Sequence, residues 1–274
     1  MSSQLAKALD GAKAEGRAAL IAYVPVGYPD VDSSIAAMVA AVEAGADVVE
    51  VGVPYSDPGM DGPVIQQAVD VAVRAGVGMT DVLRAVAAVA DAGAVAVVMS
   101  YWNPIERYGV ARFATDLAAA GGAGAITPDL IPDEAAEWLR ASEEADLDRV
   151  FLVAPSSTEA RLHSTTAACR GFVYAASTMG VTGTRATVGD AAEKLVARTR
   201  EARPDLAVCV GLGVSNGAQA AEVAAFADGV IVGSAYVREL LEGRGADGVR
   251  RLTEDLAQGV RGHNGHVSSP GSDS

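Results

Sequence analysis

Apolar positions along this chain gather into short, near-continuous runs, separated by longer stretches in which they recur every three or four residues. Eight runs stand out: Ala19 to Val24, Asp47 to Val51, Ala94 to Met99, Gly124 to Ile126, Arg149 to Leu152, Phe172 to Tyr174, Ala207 to Val210 and Gly229 to Val232. Runs of this length, rich in β-branched residues and bounded by glycine, read as strands buried on both faces, the kind that parallel sheets use. Between them, Ser33 to Ala44 repeats its apolar residues at helical spacing, and Ala135 to Ala145 alternates faces around Trp138 and Leu139. Asp30 and Asp32, Thr80 or Asp81, and Ser215 supply capping oxygens where three such helices would begin. Eight strand-then-helix units predict the α/β class and a single (β/α)8 TIM barrel over residues 1–261. The polar, glycine-rich stretch 262–274, with His263 and His266, predicts a disordered tail.

Composition narrows this picture in three ways. The chain has 274 residues, close to the roughly 250 that one such barrel needs. Its two cysteines, Cys169 and Cys209, have apolar neighbours and neither metal-knuckle nor redox-pair spacing, so they read as buried thiols in a reducing compartment, with no metal site. Lys7, Asp10, Lys13, Glu15 and Arg17 interrupt what a signal peptide would keep apolar, and no uncharged run is long enough to span a membrane; the expected location is cytoplasmic. A net charge of -14 speaks against a nucleic-acid or anionic-membrane surface. It also means that any phosphate ligand must be held by local donors such as backbone N–H groups at glycine turns.

The chemistry gathers after strand ends, where barrels of this kind build their sites. In the stretch Glu50 to Gln66 a carboxylate sits on the second strand and another, Asp61, returns from a loop dense in glycine and proline. A period of two places Val48, Glu50 and Gly52 on one face; if that face is the interior, Glu50 stands over packed side chains at the mouth. Burial there would raise its pKa until it donates and accepts a proton near neutrality, whereas Asp61 in its polar loop is expected to stay ionised and balance positive charge on a substrate nitrogen. Asp57 and Asp129 are assigned to loop geometry. Tyr174, at the end of the sixth strand, is the third catalytic candidate, its hydroxyl within reach of a substrate oxygen or of Glu50.

Glycine turns follow the sixth, seventh and eighth strands, and Gly183, Gly213, Gly233 and Ser234 read as a phosphate cradle, the last two just before a short helix from Tyr236 to Leu241. The stretch Ser177 to Gly189 looks like a mobile lid. Tyr23, Met99, Ile126, Leu152 and Leu212 lie at or beyond strand ends and would suit a flat apolar ligand group. These features leave open a sugar-phosphate isomerase or epimerase, or a barrel that only activates a partner.

The order and content of these segments resemble the tryptophan synthase alpha subunit family over Leu20 to about Glu242. The most specific are Glu50-Val-Gly-Val-Pro-Tyr-Ser-Asp-Pro58 with Asp61-Gly-Pro-Val-Ile-Gln66, and Tyr101-Trp-Asn-Pro-Ile105 with Arg107-Tyr-Gly109. Pro128-Asp-Leu130, Leu152-Val-Ala-Pro155, Gly180-Val-Thr-Gly183, Gly211-Leu-Gly-Val-Ser215 and Gly233-Ser-Ala235 follow in the family's order. The resemblance implies a retro-aldol lyase that splits indole-3-glycerol phosphate into indole and glyceraldehyde 3-phosphate. It assigns Glu50 as the general acid/base, Asp61 as the anchor of the indole N–H, Tyr174 as an aid to positioning, and the five apolar residues as the indole pocket. It implies no cofactor in this subunit, pyridoxal phosphate in a beta subunit that receives the indole, and an alpha2-beta2 heterotetramer. The loops Tyr55 to Asp61 and Ser177 to Gly189 would communicate with that partner.

Overall fold

Alternation of side chains along each strand builds two separate cores in this computed structural model, which describes residues 3–177 and 185–262. The strands are β1 (Ala19–Pro25), β2 (Val48–Gly52), β3 (Val95–Met99), β4 (Gly124–Ile126), β5 (Asp148–Val150), β6 (Leu152–Val153), β7 (Phe172–Ala176), β8 (Ala207–Gly211) and β9 (Gly229–Val232). All neighbours run parallel, in the order β5-β4-β3-β2-β1-β9-β8-β7-β6. The expected eight strands are thus present, but the fifth is interrupted at Phe151, so that β5 pairs with β4 while β6 pairs with β7. Across that interruption the sheet turns back on itself as a nearly closed TIM barrel, and the Phe151 carbonyl still accepts from the Tyr174 amide at 3.1 Å.

Inside the barrel lie Ala19, Ile21, Val48, Val97, Ile126, Val150, Phe172, Cys209 and Ile231; on its outside, Leu20, Ala22, Val49, Val51, Val98, Val173, Val208 and Val230 meet the helices. This is the period of two, read once toward the axis and once toward the shell. Both Cys169 and Cys209 are buried free thiols.

The shell comprises α2 (Val31–Glu43), α3 (Pro63–Arg74), α4 (Met79–Asp91), α5 (Trp102–Tyr108), α6 (Val110–Ala119), α7 (Ala136–Glu144), α8 (Glu159–Ala168), α9 (Arg185–Ala202), α10 (Gly217–Ala224), α11 (Ser234–Leu241) and α12 (Gly245–Arg261). Phe113 and Trp138 stack 5.8 Å apart where α6 meets α7, a pair of the type that adds about 1 kcal/mol beyond its burial. Asp30 caps α2 by accepting the Ser33 amide at 2.8 Å, as its residue type predicts. Elsewhere the caps shift: α4 starts from Gly78, whose amide the Asp81 carboxylate accepts at 3.1 Å, and α10 is capped by Asn216 rather than Ser215. Ser215 instead donates to the Gln219 side chain.

One element has no counterpart among the sequence expectations. Helix α1 (Gln4–Ala14) turns Leu5, Leu9 and Ala12 into the inner core and closes the N-terminal end of the barrel. Its effect is to leave a single open end for chemistry. Among the described residues no helix is long and apolar enough to cross a membrane. The expected tail beyond Gly262 and the expected lid residues 178–184 lie outside the described residues.

Candidate active site

Glu50 occupies the inner face of β2, level with Tyr23 on β1 and Val97 on β3. It is 1% exposed, and among the described residues its Oε1 has no hydrogen-bond partner. Burial alone pushes its carboxyl up to about 8. A buried polar atom without a partner costs about 1–3 kcal/mol, more if charged, and in a well-packed strand calls for a reason beyond folding. The raised pKa expected from the sequence follows from location, a carboxyl carried on a strand above an apolar core.

Above Glu50 opens a cavity of about 450 Å³, lined by Tyr23, Met60, Asp61, Gly62, Ile65, Met99, Leu152, Tyr174, Ala176, Ser177, Gly211, Gly213, Ile231, Gly233 and Ser234. Three glycines make room for its aromatic walls. A Cβ on Gly52 would stand 2.8 Å from the Tyr23 hydroxyl, one on Gly211 would stand 2.9 Å from the Tyr174 ring, and one on Gly233 would stand 3.2 Å from the Tyr23 ring. Tyr23 and Tyr174 thus lean over strands stripped of side chains and flank the acid. Burial, with the Glu50 and Asp61 carboxylates close by, drives both phenols well above their ordinary pKa, so both remain protonated donors.

Asp61 reaches the same cavity from the loop between β2 and α3. Gly62 and Pro63 start α3 without a side-chain cap, so Asp61 is not spent on capping. Its backbone carbonyl accepts from Gln66 Nε2 at 2.7 Å, and its Oδ1 accepts from the Tyr101 hydroxyl at 3.4 Å. The polar surroundings expected of it are only partly realised. Burial raises its pKa, and the Tyr101 hydrogen bond opposes that rise.

On the same rim, across β1 from Glu50, Gly213 holds φ at +69°, the left-handed region that glycine enters without strain, and Gly233 precedes the first turn of α11, which begins with Ser234. The first N–H groups of a helix lack partners within it, so this corner offers donors to an anion. Gly183, the fourth cradle residue expected from sequence, lies outside the described residues.

Two expected wall residues stand elsewhere. Ile126 is fully buried in the inner core, behind Met99, Leu152 and Tyr174, and supports the wall without lining it. Leu212 faces the other way, packed against the outer core between the glycines of β8 and its turn. Conversely, Ile65, Ser177 and Ile231 line the cavity and had not been singled out for it. Ile65 lies in the first turn of α3 just after the Asp61 loop, and Ile231 alternates with the outward Val230 and Val232, so strand periodicity carried a signal for Ile231. Asp57 and Asp129 do serve loop geometry, accepting from the Ser56 hydroxyl at 2.6 Å and from the Trp102 amide at 2.9 Å. Among the described residues no group of three His, Cys, Asp or Glu side chains is placed to hold a metal ion.

Barrel, buried carboxyl and glycine corner at one open end define the class: a (β/α)8 barrel with the kind of mouth where enzymes of this fold build their sites. Comparison with known proteins makes this particular. The family model for the tryptophan synthase alpha chain matches residues 9–264. The tryptophan synthase alpha chain of Thermobifida fusca is 62% identical over 263 residues, covering 94% of this chain and 97% of that one. That of Mycobacterium marinum is 61% identical over 263 residues, covering 96% and 97%. A solved structure of Mycobacterium tuberculosis tryptophan synthase superposes with a TM-score of 0.90 at 60% identity, covering 95% of this chain and 99% of that chain. The alpha chain from Legionella pneumophila superposes at 0.87 with 28% identity, covering 97% and 100%. The chain belongs to the tryptophan synthase alpha chain family. The isomerase and epimerase alternatives are left without support.

Proposed function

We propose that the mouth residues carry out the alpha-chain reaction, cleavage of indole-3-glycerol phosphate to indole and glyceraldehyde 3-phosphate, with Glu50 as the single acid/base. The observation that carries this reading is a buried carboxyl, its Oε1 without a hydrogen-bond partner among the described residues, facing a cavity with a second acid and a glycine corner. With its pKa held at about 8, Glu50 carries at neutral pH the proton that the reaction first needs. Delivered to indole C3, that proton leaves a positively charged indolenine nitrogen, which the Asp61 carboxylate balances. Glu50, now a carboxylate, takes the proton of the adjacent glycerol hydroxyl. The C3–C bond breaks as the carbonyl forms, and its electron pair restores the indole ring. Proton and electrons balance without a redox partner, and Glu50 ends protonated.

Tyr174, protonated and beside Glu50, orients the reacting hydroxyl. Tyr23, Met99 and Leu152, with Ile65 and Ile231, hold the flat ring, Ile126 backs them, and Gly213, Gly233 and Ser234 hold the phosphate. No cofactor enters these steps; the family carries its pyridoxal phosphate in the beta subunit. We infer that this chain works in the cytoplasm and delivers indole to that subunit in an alpha2-beta2 heterotetramer. The test is indole release from indole-3-glycerol phosphate, with and without the beta subunit, by the wild-type chain and by Glu50→Gln. The variant is expected to fold and to lose at least about a hundredfold in kcat. Near-wild-type indole release by Glu50→Gln would overturn the assignment, and absence of both a complex and a rate change on mixing would overturn the partnership.

A further inference from the structure

We propose that Tyr101 is a positioning residue of this lyase: its phenol clamps the loop after β2 at both ends and sets the Asp61 carboxylate toward the indole nitrogen, a role that rests on the reaction assigned above. Tyr101 stands outside the cavity, so it acts through the loop and not on substrate. Its ring packs against Tyr55 at 5.4 Å, where the loop leaves the strand. Five residues later its oxygen accepts the Met60 amide at 2.8 Å and donates to Asp61 Oδ1 at 3.4 Å. One phenol accepting once and donating once has both capacities used. The donor bond is long, as such bonds are before substrate closes the site and tightens them.

The clamp is itself anchored. The Ser100 hydroxyl donates to the Tyr101 carbonyl at 2.7 Å, the Ser100 amide donates to the Ile126 carbonyl at 3.1 Å, and the Trp102 amide donates to Asp129 Oδ1 at 2.9 Å. The phenol therefore hangs from the end of β3 and the loop after β4, separate from the β2 loop that it holds. Burial pushes its pKa up to about 12, so it stays a donor throughout the working range. Among the described residues, the other side-chain hydrogen bond to this turn comes from the Gln66 amide on the Asp61 carbonyl, and the Tyr101 hydroxyl is the donor to the Asp61 carboxylate.

The experiment is steady-state indole release by wild type and Tyr101→Phe, alongside the inhibition constant of glyceraldehyde 3-phosphate, which reads the phosphate end alone. The variant keeps the ring against Tyr55 and removes only the oxygen. Loss of a hydrogen bond to a charged group predicts a fall in kcat of about tenfold to a hundredfold, with KM and the inhibition constant within about twofold of wild type. Unchanged kcat would overturn the proposal, as would parallel losses in kcat and in the inhibition constant, which signify a collapsed pocket. A wild-type chain releasing no indole is a different failure and overturns the reaction assigned to the site.

Discussion

Asp47, just before β2, and Glu50, on the inner face of that strand toward the mouth, stand three residues apart, and the two ends of the barrel treat carboxylates differently. At the closed end Asp47 takes two bonds from Arg17, at 2.7 and 2.8 Å, and a third from the Leu20 amide at 2.8 Å. Asp228, before β9, repeats the device with the Val208 amide at 2.9 Å and Arg200 at 3.0 Å. Asp148, at the start of β5, pairs with Arg170 at 3.1 Å. At the open end neither Glu50 nor Asp61 has a cation among the described residues. Arginine pairing ties neighbouring strands together at the closed end, although burial still raises the Asp148 carboxyl above its usual range; at the mouth, burial with no cation beside it among the described residues leaves Glu50 an acid whose proton is available. Stability is thus concentrated at one end of the barrel and reactivity at the other, the division expected of this fold.

The largest break in that comparison comes from pH. Glu50 is raised from 4.5 to about 8, so between those values the folded chain binds a proton that the unfolded chain has released. Its contribution to stability is fully present below about 4.5, declines as pH rises through this window and is lost above about 8. At ~1.4 kcal/mol per pH unit for one proton, the ceiling on that decline is on the order of 5 kcal/mol. Glu50→Gln is expected to flatten denaturant-unfolding stability between pH 5 and 9, and wild-type kcat/KM is expected to fall as the pH passes about 8. Parallel stability curves for the two chains would show that Glu50 is not the buried acid described here.

At the other end the expected effect is smaller and purely structural. Arg17→Met removes the partner of Asp47 while keeping much of the side chain's bulk. Breaking a largely buried pair from one side costs about 3 kcal/mol, somewhat less where water reaches the remaining acid. Unfolding should shift accordingly, and indole release per folded molecule should not change. A fall in kcat at unchanged stability would contradict the separation of the two ends.

How much of this was readable in advance differs along the chain for the same reason. Strands buried on both faces write themselves as apolar runs, so β1, β4, β8 and β9 are legible almost to the residue. The break at Phe151 is not, because it reflects how the sheet closes and not which residues the strand contains. Glu50 was legible because one polar residue in such a run fixes its own face. Leu212 was misplaced because it follows β8 by one residue, where a single step reverses the face, and Ile126 because depth within the interior has no sequence signature. Tyr101 lay in a quoted motif, yet its role depends on two loops that meet only in the fold.

The finest test of the comparison uses two glycines. A Cβ on Gly124, at the closed end, would stand 2.7 Å from the Asp148 carbonyl carbon and 2.8 Å from its Cα, both backbone atoms of the adjoining strand. A Cβ on Gly52, at the mouth, would stand 2.8 Å from the edge of the Tyr23 ring, a side chain bordering the cavity. Overpacking costs about 1–3 kcal/mol, and where in that range a site falls depends on what can yield. Backbone cannot, so Gly124→Ala is expected near the upper end in stability with kcat/KM intact. The Tyr23 ring can swing into the cavity, so Gly52→Ala is expected near 1 kcal/mol in stability but about tenfold lower in kcat/KM, because the ring then occupies substrate space. Measured together by thermal unfolding and indole release, the pair separates the two ends: equal stability losses, or equal activity losses, would mean that packing at the mouth is as unyielding as packing at the base.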